Sequence, residues 1–391
     1  MTRSPSHLPP NHSTLTLVSL AAVPWHFPLV GRTRMLTEAW HAHGQPCLFV
    51  ESPSLRTFAQ RLTLRAPSVA GAPVVRTLPV WPLRWCRGPQ DWRLTRSAGW
   101  SAAALLKALR RRVDLEQAAA LVVTPAWTPW LRKLPFRTVI YDCIDELSVH
   151  VPAPRLAGAF REWEDELLQR AAGAVVSAER LGADLRERKP GLPIRLIRNG
   201  VDAAAFQGRA AAAPRPVDVP TGRPIIGFVG ALYSWIDWEL ISGVIRRLPE
   251  CQFVFVGPDD GNDAIAALRA RPNVVFLGPR PYELVPAYVK AFDVCWIPFR
   301  QDEVALSANP VKAYEYLSLG KPVVSTPIAD AESFGDCLAI VKTPDEAADA
   351  LRAAMHPDAA VAARRVAFAS DNTWQARAKA YLEFTRALRG G

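Results

Sequence analysis

Residues 307–324, SANPVKAYEYLSLGKPVV, carry a lysine and a glutamate one helical turn apart, directly ahead of an apolar strand. Asn309 as N-cap and Gly320 as a C-terminal stop predict a helix between them. Lys312 falls in its first turn, where the helix dipole disfavours a cation unless an anion lies beside it. Glu315 can accept hydrogen bonds from two hydroxyl groups. The pair suits the phosphates and ribose of a nucleotide diphosphate, and an ordinary surface ion pair is the alternative.

The segments around this helix alternate between apolar strands and amphipathic helices along the whole chain. The first half contains LTLVSLAAV, CLFVE, PVVRTLPV, AALVVT, FRTVIYDC, AVVSAE and IRLIRN, and the second half continues the pattern from PIIGFVGAL. Such alternation is typical of parallel sheets with crossover helices. A chain of 391 residues can form two domains, each with its own core. The predicted class is therefore α/β.

Five segments in order resemble the GT-B glycosyltransferases, most closely the bacterial family 4 or family 1-like proteins. They are RLIRNGVD, PIIGFVGAL, FVFVGP, VVFLGPRPYELVPAYVKAFDVCWIPF and NTWQARAKAYLEF, together with the helix above. The resemblance spans residues 15–388. It implies two Rossmann-like domains facing each other across a cleft, with helices on both faces of each parallel sheet. It also implies a metal-independent hexosyltransferase that needs no cofactor beyond its nucleotide diphosphate sugar.

Composition and resemblance together predict the domain boundaries. Residues 1–14 are expected to be a disordered leader because they are polar and rich in proline. Residues 15–202 form the acceptor-side domain, and the segment 203–223, rich in alanine and proline, is the linker. Residues 224–358 form the nucleotide-sugar-binding domain. By resemblance, the helices in 359–391 cross back to the first domain.

The resemblance assigns a set of nucleotide-sugar-binding residues in the second domain. These are Gly230, Arg280 through its backbone, Ser307, Asn309, Lys312 and Glu315. Many relatives carry a glutamate where this chain has Ser307, which puts the usual contact to a sugar hydroxyl in doubt. The arginine and lysine that often follow the glycine matching Gly230 are also absent from GALYSWIDW. Neutralisation of the phosphates would then fall on Lys312.

Two loops of the first domain are candidates for the rest of the site. Asp142 and Asp145 end the strand TVIYDC and its loop, where a carboxylate can take a proton from an acceptor hydroxyl if the reaction inverts the anomeric centre. In retaining relatives a donor phosphate oxygen takes that proton, and these acids would orient the substrates. Either acid could instead cap the next segment. The loop at 21–34 offers Gly31 and Arg32 to the diphosphate or the acceptor, and His26 to a sugar hydroxyl.

The charge distribution predicts an anionic partner. The net charge is +10 with a pI near 9.6. Residues 81–112 interleave four tryptophans with seven arginines, which favours docking on an anionic membrane surface over a nucleic-acid role. A solvated basic face is the alternative. No apolar run reaches the length of a membrane span, so the protein is expected in the cytoplasm, peripheral on the inner face of the membrane. Scattered cysteines and histidines predict no metal site.

The leading hypothesis is transfer of a sugar from a nucleotide diphosphate to a hydroxyl on a lipid-linked or polysaccharide precursor. A nucleotide-sugar epimerase or a glycosyl phosphorylase is the enzymatic alternative, since both occur on similar folds. A degenerate, non-catalytic sugar-nucleotide-binding or scaffolding subunit is the non-enzymatic one, motivated by Ser307 and the missing basic pair. Retention of Lys312 and Glu315 favours the enzyme.

Overall fold

The computed structural model describes residues 15–25, 31–52, 74, 75, 77, 91–356 and 358–390. The chain forms two parallel sheets, one in each half. The first sheet has the strand order β3-β2-β1-β4-β5-β6-β7. Its strands are β1 Leu17–Leu20, β2 Cys47–Val50, β3 Val74–Val75, β4 Ala119–Val122, β5 Thr138–Cys143, β6 Gly173–Val176 and β7 Ile194–Leu196. Every described pairing between them is parallel.

The second sheet has the order β10-β9-β8-β11-β12-β13 and is also parallel. Its strands are β8 Ile225–Val229, β9 Gln252–Val256, β10 Val274–Gly278, β11 Val294–Ile297, β12 Val323–Ser325 and β13 Leu338–Ile340. In both sheets the strand order reverses beside the first strand of the sheet, and ligands of open parallel sheets bind beyond the strand ends at such a point.

Helices connect the strands. In the first half they are α1 Arg32–Ala42, α2 Trp92–Arg110, α3 Thr128–Leu131, α4 Ala157–Arg170 and α5 Glu179–Arg188. In the second half they are α6 Ala203–Ala212, α7 Trp238–Arg247, α8 Asp263–Arg269, α9 Val285–Ala291, α10 Glu303–Ser307, α11 Val311–Ser318, α12 Pro344–Ala354, α13 Ala359–Asp371 and α14 Trp374–Gly390. Short 3₁₀ turns include Leu147–His150, Tyr282–Leu284 and Ala331–Cys337.

The alternation of side chains along the first sheet builds a core on each face. Along β5, Val139 and Tyr141 belong to a cluster with α2, α4 and α5, whereas Ile140 belongs to a cluster with α1 and α14. Because side chains of a strand alternate between faces, helices cover both sides of this sheet. The predicted α/β class of two parallel-sheet domains is confirmed.

The C-terminal helix α14 packs on α1 of the first domain, and the indole nitrogen of Trp40 donates to the carbonyl of Ala378 at 2.9 Å. An isolated β-bridge between Val201 and Thr373 joins the two segments in which the chain passes from one domain to the other. The helices preceding α14 remain with the second domain, where α13 packs on α11.

The segment 203–223 differs from the expected linker in its first half, which forms α6. Asp202 caps this helix by accepting from the backbone N–H of Ala205, and the ring of Phe206 is buried against the second domain. This helix was not predicted, because its apolar face consists mostly of alanine side chains, which give little hydrophobic periodicity. The predicted leader at 1–14 and residues 81–90 of the basic stretch lie outside the described residues. No described helix is long and apolar enough to cross a membrane.

Candidate functional site

A cleft of about 400 Å³ lies between the two domains and receives side chains from both. From the second domain it is lined by the residues that follow β8, β9, β10 and β11. The first domain contributes Arg32 at the start of α1, Asp145 after β5 and Asn199 after β7. The site therefore lies at the carboxyl ends of both sheets, where parallel sheets bind ligands.

Lys312 reaches this cleft from the first turn of α11. The helix begins at Val311 with Pro310 at the N-cap, one residue later than the sequence predicted. The Lys312 ammonium lies 5.1 Å from the centre of the Phe228 ring and 4.7 Å from that of Phe299. Burial lowers the pKa of Lys312 to about 8, against the opposing attraction of Glu315. Among the described residues, Lys312 forms no ion pair, so its charge is available to a ligand.

Glu315 lies one turn further along α11 and also lines the cleft, with 7% of its surface exposed. The hydroxyl of Tyr282 donates to its Oε1 atom at 2.7 Å. Burial raises the pKa of the Glu315 carboxyl, while the Tyr282 hydrogen bond and the Lys312 charge act in the opposite direction. No described group donates to its other oxygen, which can accept a hydrogen bond from a ligand hydroxyl.

Two glycines make room for the lysine. Gly230 and Gly257 follow β8 and β9, and both have φ +149, a region that side chains rarely adopt. A Cβ on Gly230 would lie 2.9 Å from Cε of Lys312, and one on Gly257 would lie 1.9 Å from the carbonyl oxygen of Gly230. The predicted glycine turn thus lets α11 present Lys312 to the cleft.

The loop after Gly230 presents an indole to the cleft. Trp235 lines the cleft, and its carbonyl accepts from the backbone N–H of Arg300 at 2.8 Å. A bridge between Ile236 and Phe299 fixes the loop further. Trp235 and Tyr282 also line the cleft, although neither was predicted from the sequence. The only signal for Trp235 was its place in GALYSWIDW.

Arg32 and Asp142 form a buried cluster on the first-domain side. Their side chains make an ion pair at 3.3 Å, each about 2% exposed. The hydroxyl of Tyr381, on α14, donates to Asp142, and Arg32 donates to that hydroxyl at 3.0 Å. Burial would lower the pKa of Arg32, but the Asp142 carboxylate and Tyr381 raise it above its ordinary value. The cluster ties α14 to the first domain.

The structure does not bring Asp142 to the cleft, whereas Asp145 does line it. Side-chain alternation explains the difference, because Asp142 shares the face of β5 that carries Ile140 and packs on α1 and α14. Asp145 lies beyond the strand end, in the loop that faces the second domain. Of the two predicted acids, only Asp145 can reach a substrate in this arrangement.

Asn309 and Arg280 also line the cleft. Asn309 is 3% exposed, and its side-chain oxygen accepts from the backbone N–H of Asn199 at 2.9 Å. The Arg280 guanidinium donates to Asp218 at 2.7 Å and to the hydroxyl of Tyr288 at 2.8 Å. The hydrogen bond that Arg280 donates to Asp218 raises the pKa of Arg280, so its charge is already compensated.

Two further predicted residues, Ser307 and Gly31, do not line the cleft. Ser307 ends α10 and is 1% exposed, so its hydroxyl is not available to a ligand in the cleft. Gly31 is the N-cap of α1, outside the cleft lining. His26 lies outside the described residues. Among the described residues, no cluster of histidine, cysteine or acidic side chains could hold a metal ion.

Two parallel sheets with helices on both faces, a site between their carboxyl ends and a C-terminal helix that crosses back define the GT-B class of protein. Residues 223–356 match the family model described as Glycosyl transferases group 1. Sucrose-phosphate synthase from Thermosynechococcus elongatus shares the fold with a TM-score of 0.73 and 15% identity, over 96% of this chain and 99% of that one. Over residues 223–356 the chain is similar to the group 1 glycosyltransferases, and the GT-B fold that the sequence resemblance predicted is confirmed.

Two curated relatives are similar over part of their length. TuaH of Bacillus subtilis (strain 168), named for a proposed glycosyltransferase role in teichuronic acid biosynthesis, is 28% identical over 198 residues, 48% of this chain and 50% of TuaH. The 2-deoxystreptamine glucosyltransferase of Streptomyces kanamyceticus is 30% identical over 255 residues, 55% of this chain and 64% of the relative. The chain thus spans half to somewhat under two thirds of these relatives.

Proposed function

We propose that the protein is a metal-independent glycosyltransferase that moves a hexose from a nucleotide diphosphate to a hydroxyl acceptor. The observation that carries this proposal is the pair on α11, since Lys312 and Glu315 both enter the cleft and Lys312 has no described carboxylate bound to it. The family match over the same domain supports it. No cofactor beyond the co-substrate is required.

The leaving diphosphate is stabilised by Lys312. Negative charge develops on the phosphate oxygen as the anomeric C–O bond breaks, and a fixed cation in a water-poor cleft lowers the energy of that state. The start of α11 adds backbone N–H groups and the positive end of the helix dipole. Glu315 accepts from the ribose hydroxyls through the oxygen that Tyr282 leaves unoccupied.

Asp145 serves the acceptor side of the cleft. The new bond forms between the acceptor oxygen and the anomeric carbon, and the acceptor proton must leave. In an inverting reaction Asp145 takes that proton. In a retaining reaction the leaving phosphate oxygen takes it, and Asp145 orients the acceptor.

The acceptor is an amphiphilic or glycan precursor of the cell envelope. Ile144 and Val149 of the first domain and Val304 and Trp235 of the second form an apolar part of the cleft wall. Val149 is 41% exposed, so its apolar side chain is accessible to a ligand in the cleft. The name of TuaH, which refers to teichuronic acid, points to the same class of precursor.

The exposed face of α2 is the surface proposed for the cytoplasmic side of the membrane. It carries Arg93, Arg96, Trp100, Lys107 and Arg110 at helical spacing, and Trp100 is 66% exposed. Residues 92–112 contain no acidic side chain. Each basic residue near an anionic surface contributes about 1 kcal/mol, and tryptophan favours the headgroup region.

This face adjoins the apolar part of the cleft. Leu94, on the first turn of α2, shares a buried cluster with Leu147, two residues before Val149. A lipid-linked acceptor held at the membrane could therefore reach the cleft along the first domain.

Thermal unfolding with UDP, GDP, ADP and dTDP tests the nucleotide site. A ligand at a hundred times its dissociation constant adds about 2.7 kcal/mol to stability. We expect one nucleotide to stabilise the wild type, the effect to vanish in Lys312→Ala and Glu315→Ala, and Lys342→Ala, which changes an exposed lysine outside the cleft, to keep it. Absence of stabilisation by every nucleotide would contradict the proposal and favour the non-catalytic subunit.

Cosedimentation with vesicles tests the α2 face. The wild type is expected to bind phosphatidylglycerol vesicles and not phosphatidylcholine vesicles, and Lys107→Glu with Arg110→Glu should abolish the binding. The double variant Arg195→Glu with Arg271→Glu makes the same charge change at other exposed positions and should bind as the wild type does. If both double variants lose vesicle binding equally, the binding depends only on net charge, and this result would contradict a docking face on α2.

A further inference from the structure

Asp330, in the second domain, has a backbone conformation found at no other non-glycine position of the described chain. Its φ is +51 and its ψ is 37, the left-handed region. Side chains disfavour this region, and such strain persists only where surrounding contacts maintain it. Asp330 precedes the turn Ala331–Cys337, in the connection after β12.

The contacts of the Asp330 carboxylate are with the first domain. Arg198 donates to it through Nε at 2.8 Å, and 6% of the Asp330 side chain is exposed. The backbone N–H of Glu179 donates to the same carboxylate at 3.3 and 3.4 Å. One side chain of the second domain thus binds two separate segments of the first domain.

The contact with Glu179 supplies a side-chain hydrogen-bond acceptor at the N-terminus of α5, which this helix lacks within its own domain. This helix begins at Glu179, and its N-cap is Ala178, which has no side-chain acceptor. An acidic group at that position satisfies a free N–H and interacts favourably with the helix dipole. Asp330 therefore caps α5 from across the domain interface, and α5 loses this cap whenever the domains separate.

The same connection reaches the cleft. The backbone N–H of Ala329 donates to the carbonyl of Ala308 at 3.2 Å, and the Ala329 side chain packs in a cluster of the first domain. Ala308 and Asn309 line the cleft directly ahead of α11. On the first-domain side, Arg198 precedes Asn199, which donates its backbone N–H to Asn309. Domain contact and the position of α11 are thus joined through adjacent residues.

We infer that Asp330 is a latch that holds the two domains together and so positions α11 for the donor. This role rests on the proposed transferase function for its effect on the donor, but the latch itself requires no substrate. Asp330 touches no reacting group and acts through Ala308, Asn309 and the arrangement of the domains. Opening of the domains would release both the strain and the two contacts.

The test compares Asp330→Ala with Asp330→Asn, which keeps the size and an acceptor oxygen. Glu303→Gln is the matched control, since Glu303 also crosses the interface, to Arg180 at 2.8 Å, but is 80% exposed. Small-angle scattering of the nucleotide-free protein should show a larger radius of gyration for Asp330→Ala, an intermediate one for Asp330→Asn and the wild-type value for Glu303→Gln.

The kinetic readout separates positioning from a merely structural role. If only a fraction of the protein is closed, the apparent donor affinity falls by that fraction, so Asp330→Ala should raise the donor KM about tenfold while kcat at saturating donor stays within about twofold. A lowered melting temperature with unchanged scattering and unchanged KM would overturn the latch and leave Asp330 as a helix cap. The scattering experiment needs no donor. It can therefore contradict the latch while the proposed transferase function holds, and it can support the latch even if the protein transfers no sugar.

Discussion

Each side of the cleft contains a cation, a carboxylate and a tyrosine, but the contacts that these side chains make differ between the two sides. On the first-domain side, Arg32, Asp142 and Tyr381 bind one another in a buried cluster. On the second-domain side, Tyr282 binds Glu315, but Lys312 makes no described ion pair. The first set is satisfied within the protein, because Arg32 also donates to Asn199 and to the carbonyl of Ile197, and it holds α14 in place. The second leaves a cation and a carboxylate oxygen without a described partner, so a cation, a carboxylate and a tyrosine hold the structure on one side and, in the proposed function, bind the donor on the other.

The largest expected effect is on stability, on the first-domain side. Asp142→Ala leaves the Arg32 guanidinium buried without its carboxylate, and breaking a buried pair in this way costs about 3 to 5 kcal/mol. Urea unfolding monitored by tryptophan fluorescence measures the loss. Glu315→Ala is the matched change on the other side and should cost far less, because no described ion pair is broken. Equal losses in the two variants would contradict the distinction.

The next effect is on activity, on the second-domain side. Lys312→Ala should lower kcat about 10²- to 10³-fold, the loss typical of removing one group that stabilises developing charge. The far-ultraviolet circular dichroism should not change, because the side chain lies at the cleft. Initial rates with the donor identified by nucleotide binding provide the measurement. Full activity in this variant would remove Lys312 from the reaction.

A smaller effect is expected for the ribose contact. Glu315→Gln exchanges a hydrogen bond to a charged group, worth about 1.5 to 3 kcal/mol, for a neutral one, worth about 0.5 to 1.5 kcal/mol, and the difference should raise the donor KM about tenfold. Tyr282→Phe removes a hydrogen bond that lowers the Glu315 pKa, so the acid limb of donor binding should move to higher pH. Nucleotide titrations between pH 5 and pH 8 would show it; an unmoved acid limb would mean that another group controls it.

The last effect has the opposite sign and is a gain of stability. Burial lowers the pKa of Lys312 to about 8, so folding is penalised while the amine is charged. Lys312→Met should therefore stabilise the protein by about 1 to 3 kcal/mol at pH 7. The wild type binds fewer protons folded than unfolded between pH 8 and about pH 10.5, so its stability should approach that of the variant over this range. A constant difference from pH 7 to pH 10 would contradict the assignment.

The sequence predicted the second-domain pair but misassigned part of the first-domain cluster, for a physical reason. Lys312 and Glu315 lie three residues apart on one helix, so their common face follows from helical periodicity. The partners of Asp142 lie 110 and 239 residues away, and no local pattern relates them. The parallel sheets were predictable because their apolar strands are continuous, whereas α6 was missed because its alanines hide its apolar face. Asp330 gave no sequence signal, since its partners Glu179 and Arg198 lie 151 and 132 residues away.

The most direct test of the central claim, that Lys312 holds the diphosphate, is proton uptake on nucleotide binding. Calorimetric titration at pH 8, in buffers of different ionisation enthalpy, counts the protons taken up. With a pKa of about 8, Lys312 is half protonated when free, and a bound phosphate should protonate it fully, giving an uptake of about half a proton per nucleotide. Lys312→Arg, which is always charged, should bind with no uptake. Tight binding to the wild type without proton uptake would show that the phosphates lie away from Lys312 and would contradict the account.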